Sequence, residues 1–147
     1  MKVIVIGPRG KMGKLITQVA AERDDMELVA GVAPAGRDYV GQDLGMVALI
    51  GRNLGVPVVD DLAAVIDGCD VIIDFSTREN ALKVLDLAVK HGKALVCGTT
   101  GFSEEEFARF KEAAKTIPML YAANTSKLVN IMNKLLEMVT KTLGEDA

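Results

Sequence analysis

The chain has 147 residues, half of them apolar, which is enough for one domain with a sizeable core. Its 17 basic and 20 acidic residues are mixed along the sequence and give a net charge of −3, so nucleic acid is not an expected partner. No stretch approaches the roughly 20 apolar residues that span a bilayer, and the first strand follows Met1-Lys2 without a signal peptide. We therefore expect a cytoplasmic, single-domain protein with no membrane partner.

The most informative segment lies near the N-terminus, where an apolar run meets three glycines. Residues 3–6 are all apolar, as in a parallel strand covered on both faces, and apolar residues recur at helical spacing over 15–20. Between them lie Gly7, Gly10 and Gly13. A glycine turn between a strand and a helix lets free N–H groups and the helix dipole meet a phosphate at close range. The segment predicts a nucleotide site, and the alternative is a glycine turn without a ligand.

Strands alternate with helices beyond this segment. Residues 26–32 are predicted to form a second strand, and residues 33–54, which are rich in glycine, are predicted to be mostly loop. Residues 56–59 form a short third strand, whose proline favours an edge position. Asp60 or Asp61 is then placed to cap a helix that runs to about residue 66.

The second half of the chain continues the same alternation. Ser103 and Glu106 predict a capping box at the start of one helix. The other predicted elements are strands over 71–75, 94–97 and 119–122, a helix over 78–91, and a closing helix from about Lys127 with Leu128, Ile131, Leu135, Val139 and Leu143 on one face. Six strands with crossover helices predict an α/β fold, a doubly wound parallel sheet of the Rossmann-like type.

The cysteines and the histidine are predicted to be structural. Cys69 and Cys97 are the only cysteines, and each adjoins an apolar strand, so we expect reduced, partly buried thiols. His91, the only histidine, precedes Gly92 and is expected to cap the end of a helix. A zinc site or a Ser-His-Asp hydrolase therefore has too few parts to assemble.

Short polar residues follow the fourth, fifth and sixth strands, where ligands bind in a sheet of this kind. The segments are residues 74–77, 98–102 and 122–126. Their hydroxyl and amide groups are suited to an amide, a ribose or a phosphate. The alternative is that the hydroxyls cap helices and the glycines only shape turns.

Four segments closely resemble, in order and spacing, the cofactor domain of bacterial dihydrodipicolinate reductases. They are Gly-Pro-Arg-Gly-Lys-Met-Gly at 7–13, Asp-Phe-Ser at 74–76, Gly-Thr-Thr-Gly-Phe at 98–102 and Ala-Ala-Asn-x-Ser-x-x-x-Asn at 122–130. The third segment is the most specific, and the resemblance spans nearly the whole chain. It implies a dinucleotide-binding domain over residues 1–147. Members of the family are NAD(P)H-dependent oxidoreductases of lysine (diaminopimelate) biosynthesis that reduce the dehydrated form of hydroxy-tetrahydrodipicolinate.

The resemblance also implies which residues meet the dinucleotide. The glycine turn would hold the pyrophosphate, residues 98–100 would lie near the nicotinamide ribose and ring, and residues 122–125 would meet the nicotinamide amide. The candidate cofactor-binding residues are Gly7, Pro8, Arg9, Gly10, Lys11, Met12, Arg37, Phe75, Gly98, Thr99, Thr100, Ala122, Ala123, Asn124 and Thr125. The sequence presents no catalytic residue and no metal ligand.

The chain departs from the family pattern where the adenosine ribose is held. An acidic residue commonly follows the second strand in the family, but the first carboxylate here is Asp38. Arg37, together with Arg9 or Lys11, is suited to a 2′-phosphate, because a guanidinium binds phosphate through two N–H groups. We therefore expect NADP in preference to NAD, unless these side chains are ordinary solvated surface.

A second departure concerns the substrate. The family continues into a domain with a His-His-x-x-x-Lys-x-Asp-Ala-Pro-Ser-Gly-Thr-like element, which supplies the proton donor and binds the substrate carboxylates. This sequence has no such element, and Lys127-Leu128 replaces the usual Val-Gly in the last motif, which would crowd the nicotinamide. We expect a cofactor domain whose C-terminal substrate domain is absent, and which binds NADP(H) without turnover.

Two other functions are consistent with the sequence. One is a stand-alone dinucleotide-binding or regulatory module, in which the apolar stripe of the closing helix packs on the sheet or pairs with another chain, as in a homo-oligomer. The other is part of a related dehydrogenase that acts on a different amino-acid derivative.

Overall fold

The computed structural model describes residues 1–144. The strands are β1 (Lys2–Ile6), β2 (Glu27–Val32), β3 (Val58–Val59), β4 (Val71–Asp74), β5 (Ala94–Cys97) and β6 (Met119–Tyr121). The helices are α1 (Lys11–Ala21), α2 (Leu44–Val47), α3 (Arg78–Lys90), α4 (Glu104–Ala113) and α5 (Lys127–Leu143). All strands are parallel and form one six-stranded sheet in the order β3-β2-β1-β4-β5-β6. The predicted doubly wound sheet is confirmed, and no strand end differs from the predicted one by more than two residues.

β1 is the centre of the sheet because β2 and β4 pair with it on either side. Its side chains alternate between the two faces. Ile4 and Ile6 pack with apolar residues of α3 and α4, whereas Val3 and Val5 pack with Ile16 of α1 on the opposite face. Each fully buried aliphatic side chain contributes roughly 1.5–3 kcal/mol, so this strand is a main source of the stability of the fold.

The chain connections reverse direction between β1 and β4. From β1 the chain moves outward to β2 and β3, and it then returns to β4 on the other side of β1. The loops that follow β1 and β4 therefore diverge and leave a crevice outside the carboxyl ends of the strands. Ligands bind at this position in sheets of the same type.

The ends of α3 and α4 follow the predicted capping pattern. Ser103 Oγ accepts a hydrogen bond from the Glu106 N–H (3.2 Å), and the Glu106 carboxylate accepts one from the Ser103 N–H (2.8 Å). His91 is the C-cap of α3, and Gly92 follows it with φ of 62°, a conformation that glycine adopts without strain. The predicted capping box and the capping position of His91 are confirmed.

The helix predicted after β3 with Asp60 or Asp61 as its cap is wrong. Asp61 Oδ1 accepts a hydrogen bond from the Ala63 N–H (2.9 Å) at a turn, and the only helix in this connection is the 3₁₀ segment Ile66–Gly68. The connection must pass β2 and β1 to reach β4, a distance of about 14 Å at the usual strand spacing. Extended and 3₁₀ residues advance faster than α-helical residues, so a short connection crosses this distance without an α-helix.

α5 stands apart from the sheet and buries none of its 17 residues. Leu128, Ile131, Leu135, Val139 and Leu143 are each at least 49% exposed, so the predicted apolar stripe does not pack on the sheet. The stripe is therefore available to another protein surface. None of the helices in residues 1–144 is long and apolar enough to cross a membrane.

Candidate functional site

The turn after β1 is shaped by glycine. Gly7 has φ of 68°, a conformation that strains a residue with a side chain. Its carbonyl accepts a hydrogen bond from the Gly10 N–H (3.0 Å), and its own N–H donates to the carbonyl of Val32 in β2 (2.8 Å). The first residue of α1 is Lys11, directly after this turn. The predicted strand, glycine turn and helix are therefore all present.

The glycines of this region have different structural roles. A Cβ atom at Gly13 would overlap the carbonyl of Gly7, so glycine there lets α1 pack against the turn. A Cβ atom at Gly31 would come within 3.0 Å of the ring of Pro8, which is buried against β2. Gly10 is exposed, and a Cβ atom there would lie 3.2 Å from the Gly7 carbonyl oxygen. Gly10 is thus the glycine that faces the space in front of α1.

The N-terminus of α1 differs from those of α3, α4 and α5. Hydroxyl side chains cap α3, α4 and α5, but the N-cap of α1 is Gly10, which has no side chain. The N–H groups of Lys11 and Met12 have no acceptor within the first turn, and both residues are exposed. These N–H groups and the positive end of the helix dipole are suited to a pyrophosphate.

A cleft of about 630 Å³ opens beside the glycine turn, between the carboxyl ends of β1 and β2 and one side of α3. Its volume is typical of a small-molecule site. Four of the predicted cofactor-binding residues line it, namely Gly7, Gly10, Arg37 and Phe75. Ser76 and Thr77, from the predicted segment 74–77, also line it. Its lining further includes residues that the sequence analysis did not select as ligand contacts, namely Ala33, Pro34, Ala35, Tyr39, Asp60, Asp61, Leu62, Asn80, Lys83, Val84 and Leu87.

The missed residues of α3 follow a helical pattern. Asn80, Lys83, Val84 and Leu87 are spaced three and four residues apart, so they share one face of the helix. This spacing was a usable signal, but only the packing of α3 against the sheet shows that the face borders the cleft.

The cleft contains charged side chains of both signs. Arg37 follows β2 and Lys83 belongs to α3, whereas Asp60 and Asp61 follow β3. The two cations can meet phosphate groups, and the two carboxylates can meet ribose hydroxyls. The cleft therefore combines the side-chain types that a nucleotide requires.

Arg9 and Asp38 are paired with each other and do not line this cleft. Arg9 Nη1 donates to Asp38 Oδ1 (2.7 Å), and the guanidinium lies over the ring of Tyr39, 4.9 Å from its centroid. Both side chains are more than half exposed, so their pairing contributes little to stability. Of the three cations predicted to meet a 2′-phosphate, Arg37 is the one that lines the cleft.

The loops after β4 and β5 interlock. A Cβ atom at Gly98 would overlap the ring of Phe75, so glycine at this position permits the two loops to touch. Asp74 is fully buried, and its Oδ1 accepts a hydrogen bond from the Ser76 N–H (3.1 Å). Its Oδ2 accepts one from the hydroxyl of Thr99 (3.3 Å), and burial raises the pKa of Asp74 against the effect of these hydrogen bonds. The neighbouring candidate Thr100 is exposed.

The segment after β6 is a turn tied to the start of α5. The Ala122 N–H donates to the Cys97 carbonyl (3.1 Å), which continues the pairing of β6 with β5. Asn124 Oδ1 accepts a hydrogen bond from the Ser126 N–H (2.8 Å), and Asn130 Nδ2 donates to the Asn124 carbonyl (3.2 Å). The other predicted residues, Ala123 and Thr125, are exposed, as is the side chain of Leu128. Within the described residues, the Asn124 side chain uses its oxygen in the turn, and its NH₂ group donates no hydrogen bond.

The cysteines and the histidine lie apart from this arrangement. Cys69 and Cys97 are free and buried, and burial raises the pKa of the Cys97 thiol to about 11. His91 Nδ1 lies 2.8 Å from Asp67 Oδ1, at the amino ends of the strands and opposite to the cleft. Their predicted structural roles are confirmed. Within residues 1–144, no three His, Cys, Asp or Glu side chains form a group that could hold a metal ion.

Comparison with known proteins gives a consistent result. The family described as "Dihydrodipicolinate reductase, N-terminus" matches residues 1–125. Proteins named 4-hydroxy-tetrahydrodipicolinate reductase from Hahella chejuensis and Geobacter metallireducens are 41% and 45% identical to the chain, over 99% of its length. The chain covers 54% of each of these proteins, so it spans about half the length of the curated relatives it matches.

Solved structures support the same assignment. A dipicolinate-bound dihydrodipicolinate reductase from Paenisporosarcina sp. TG-14 is 26% identical, with a TM-score of 0.76 over 95% of this chain and 53% of that chain. An amine dehydrogenase from Mycobacterium smegmatis is 25% identical, with a TM-score of 0.67 over 82% of this chain and 38% of that chain. The chain belongs to the dihydrodipicolinate reductase family and corresponds to its N-terminal, NAD(P)H-binding part.

Proposed function

We propose that the chain binds NADP(H) across the carboxyl ends of its strands and is the cofactor half of a reductase of lysine biosynthesis. The substrate class, the dehydrated form of hydroxy-tetrahydrodipicolinate, follows from the family. The observation that carries the proposal is the uncapped N-terminus of α1, because its N-cap residue, Gly10, lines a cleft of about 630 Å³ and is followed directly by the exposed Lys11 and Met12. When bound, the nicotinamide supplies a hydride, and the residues of this chain bind and orient it.

The sheet supports one direction for the bound dinucleotide. The adenosine half occupies the cleft between β2 and α3, and the pyrophosphate lies on the N–H groups of the glycine turn. The carboxyl ends of β5 and β6 lie about 10 and 14 Å further along the same edge, counted from β1 at the usual strand spacing. Residues 98–100 and 122–125, at those ends, receive the nicotinamide ribose, ring and carboxamide.

The preference for NADP rests on Arg37. Asp38, the first carboxylate after β2, accepts a hydrogen bond from Arg9 and does not line the cleft. Arg37 and Lys83 both line it. These two cations are suited to the 2′-phosphate of NADP. Asp60 and Asp61 favour the opposite preference, since carboxylates accept hydrogen bonds from the ribose hydroxyls of NAD. A comparison of NADPH and NADH binding distinguishes the two cofactors.

We further propose that the 147-residue chain binds the cofactor without turning over the substrate. The reduction requires an acid that protonates the product. His91 lies at the opposite edge of the sheet, and the thiol of Cys97 is buried with a raised pKa. The relatives are almost twice as long, which supports a proton donor in the part of those proteins that this chain does not cover.

The exposed apolar side of α5 favours a second candidate function, a dinucleotide-binding module that assembles with another chain. Leu128, Ile131 and Leu135 are each more than half exposed on this helix. Burying them against a second copy would remove an apolar surface of a kind that marks interfaces. Homodimerisation of the 147-residue chain is the specific form of this proposal.

Calorimetric titration of the purified chain with NADPH and with NADH tests the proposed function. We expect saturable binding of both, with NADPH bound more tightly. A parallel assay with cofactor and the lysine-pathway intermediate is expected to give no turnover above the uncatalysed rate. Absence of binding at millimolar dinucleotide would overturn the proposal for the cofactor, and turnover at ordinary enzyme rates would overturn the proposal of a non-catalytic chain.

A further inference from the structure

Asp74 is a fully buried carboxyl group for which the proposed function has so far given no role. It is the last residue of β4, between β1 and β5, and its relative exposure is 0%. Burial of a carboxylate away from water costs several kcal/mol unless hydrogen bonds replace its hydration. A neutral side chain would avoid this cost, so the position of the carboxyl group requires a reason.

The hydrogen bonds of Asp74 join the loops that follow two neighbouring strands. Oδ1 accepts from the Ser76 N–H at 3.1 Å in the loop after β4. Oδ2 lies 3.3 Å from Thr99 Oγ1 in the loop after β5 and 3.9 Å from the Cys97 sulfur. Asn80 of α3 extends the network, since its Nδ2 donates to Ser76 Oγ at 3.0 Å. One carboxyl group thus connects α3, the cleft and the loop proposed to meet the nicotinamide.

The carboxylate also determines the direction of the Thr99 hydroxyl. A carboxylate only accepts hydrogen bonds, so the hydroxyl proton of Thr99 must point to Asp74. The lone pairs of Thr99 Oγ1 are then directed away from Asp74 and can accept a hydrogen bond. The carboxamide NH₂ and the ribose hydroxyls of a nicotinamide nucleotide are donors of the required kind.

We propose that Asp74 is a positioning residue: it holds the loops after β4 and β5 together and keeps Thr99 as an acceptor for the nicotinamide half of the dinucleotide. This inference rests on the proposed function and adds a residue to it. It makes a prediction that a purely structural role does not make. Loss of the carboxylate affects the nicotinamide half of the ligand and spares the adenosine half.

The test compares Asp74→Asn with the wild type in calorimetric titrations with NADPH and with adenosine 2′,5′-bisphosphate, which lacks the nicotinamide half. Asparagine preserves the shape and still accepts from the Ser76 N–H, but its NH₂ group donates to Thr99 and reverses the polarity of that hydrogen bond. We expect binding of NADPH to weaken about tenfold, the equivalent of one ligand hydrogen bond, and binding of the bisphosphate to change less than about twofold.

Further variants provide controls. Asp86→Asn makes the same chemical change on the surface of α3, where Asp86 pairs with Arg109, and is expected to bind both ligands as the wild type does. Thr99→Val is expected to reproduce the selective loss, and Thr99→Ser, which keeps the hydroxyl, is expected to restore NADPH binding. If Asp74→Asn does not fold, the comparison of Thr99→Val with Thr99→Ser still tests whether the Thr99 hydroxyl contributes to binding of the nicotinamide half.

The outcomes separate the two proposals. If the wild type binds neither ligand, the proposed function fails and the inference fails with it. If the wild type binds both, but Asp74→Asn and Thr99→Val weaken both equally or weaken neither, the inference alone is overturned.

Discussion

Replacement of Arg37 by alanine should convert a preference for NADPH into near equality between the two cofactors. Arg37 lines the cleft and is exposed, so water and salt would screen the interaction that we propose with a 2′-phosphate. Hydrogen bonds to charged groups contribute about 1.5–3 kcal/mol, and screening favours the lower end of that range. The expected loss is therefore about tenfold in the dissociation constant for NADPH, with a change below about twofold for NADH.

The assay is calorimetric titration of each cofactor into matched variants. Arg37→Lys keeps the charge but loses the two-pronged geometry, and should lie between the wild type and alanine. Arg52→Ala removes the same charge from the same loop region but outside the cleft lining, and should leave the ratio of the two affinities unchanged. The preference of the wild type for NADPH should also fall as salt rises from about 0.05 M to about 0.5 M. Equal weakening of NADPH and NADH by Arg37→Ala, or the same effect from Arg52→Ala, would refute this role.

Three further predictions concern other parts of the chain. Gly10→Glu should weaken NADPH binding more than tenfold, because it places a negative charge where we propose that the pyrophosphate binds. Gly10→Ala, which adds no charge, should weaken binding clearly less. If calorimetry gives Gly10→Glu the same affinity as the wild type, the pyrophosphate does not bind at this site. Partial burial opposes ionisation of Asp43, but hydrogen bonds from the N–H groups of four residues outweigh it and hold the pKa below its usual value. Ionised Asp43 therefore stabilises the fold above about pH 4, the unfolded-state value, and this contribution is lost as the pH falls through the folded-state pKa. Urea unfolding should show Asp43→Asn to be about 1–3 kcal/mol less stable than the wild type at pH 7, with a smaller difference at pH 3; a constant difference would contradict the linkage. Leu135 lies on the exposed side of α5, so Leu135→Glu should leave the thermal unfolding temperature unchanged. The same variant should convert a dimer into a monomer in sedimentation or light-scattering measurements. A wild-type chain that is already monomeric would contradict the proposed self-association.

The sheet was predictable from the sequence because the local apolar and capping patterns occur at the residues where the fold has its strands and helix starts. The apolar run at residues 3–6 is the fully covered central strand, and Ser103 with Glu106 starts α4 as a capping box requires. The prediction of a helix after residue 60 was wrong because it relied on a capping residue, which is a local signal. The length that the connection must cross to reach β4 depends on the strand order of the whole sheet, which the local sequence does not show.

The candidate site was predictable at the glycine turn and less so across the cleft. Gly7 and Gly10 are adjacent in sequence to the strand and the helix that they join, so the residues that position this turn can be identified from the same short segment. Lys83 reaches the cleft only because α3 packs against the sheet at β4 and β5, and Arg9 is paired with Asp38, which lies 29 residues away in the sequence. The sequence identified Asp74 only as a member of the Asp-Phe-Ser motif and did not predict its environment. Its burial and its hydrogen bond to Thr99 depend on the pairing of β4 with β5.

The pyrophosphate position can be measured directly by titrating the ¹⁵N-labelled chain with NADPH and following the backbone amide resonances. Binding to the uncapped end of α1 predicts the largest shifts at Gly10, Lys11 and Met12. It also predicts small shifts at Glu106, the amide that Ser103 caps at the start of α4. Saturable binding that leaves the resonances of Gly10 to Met12 unchanged would contradict the central role of the glycine turn.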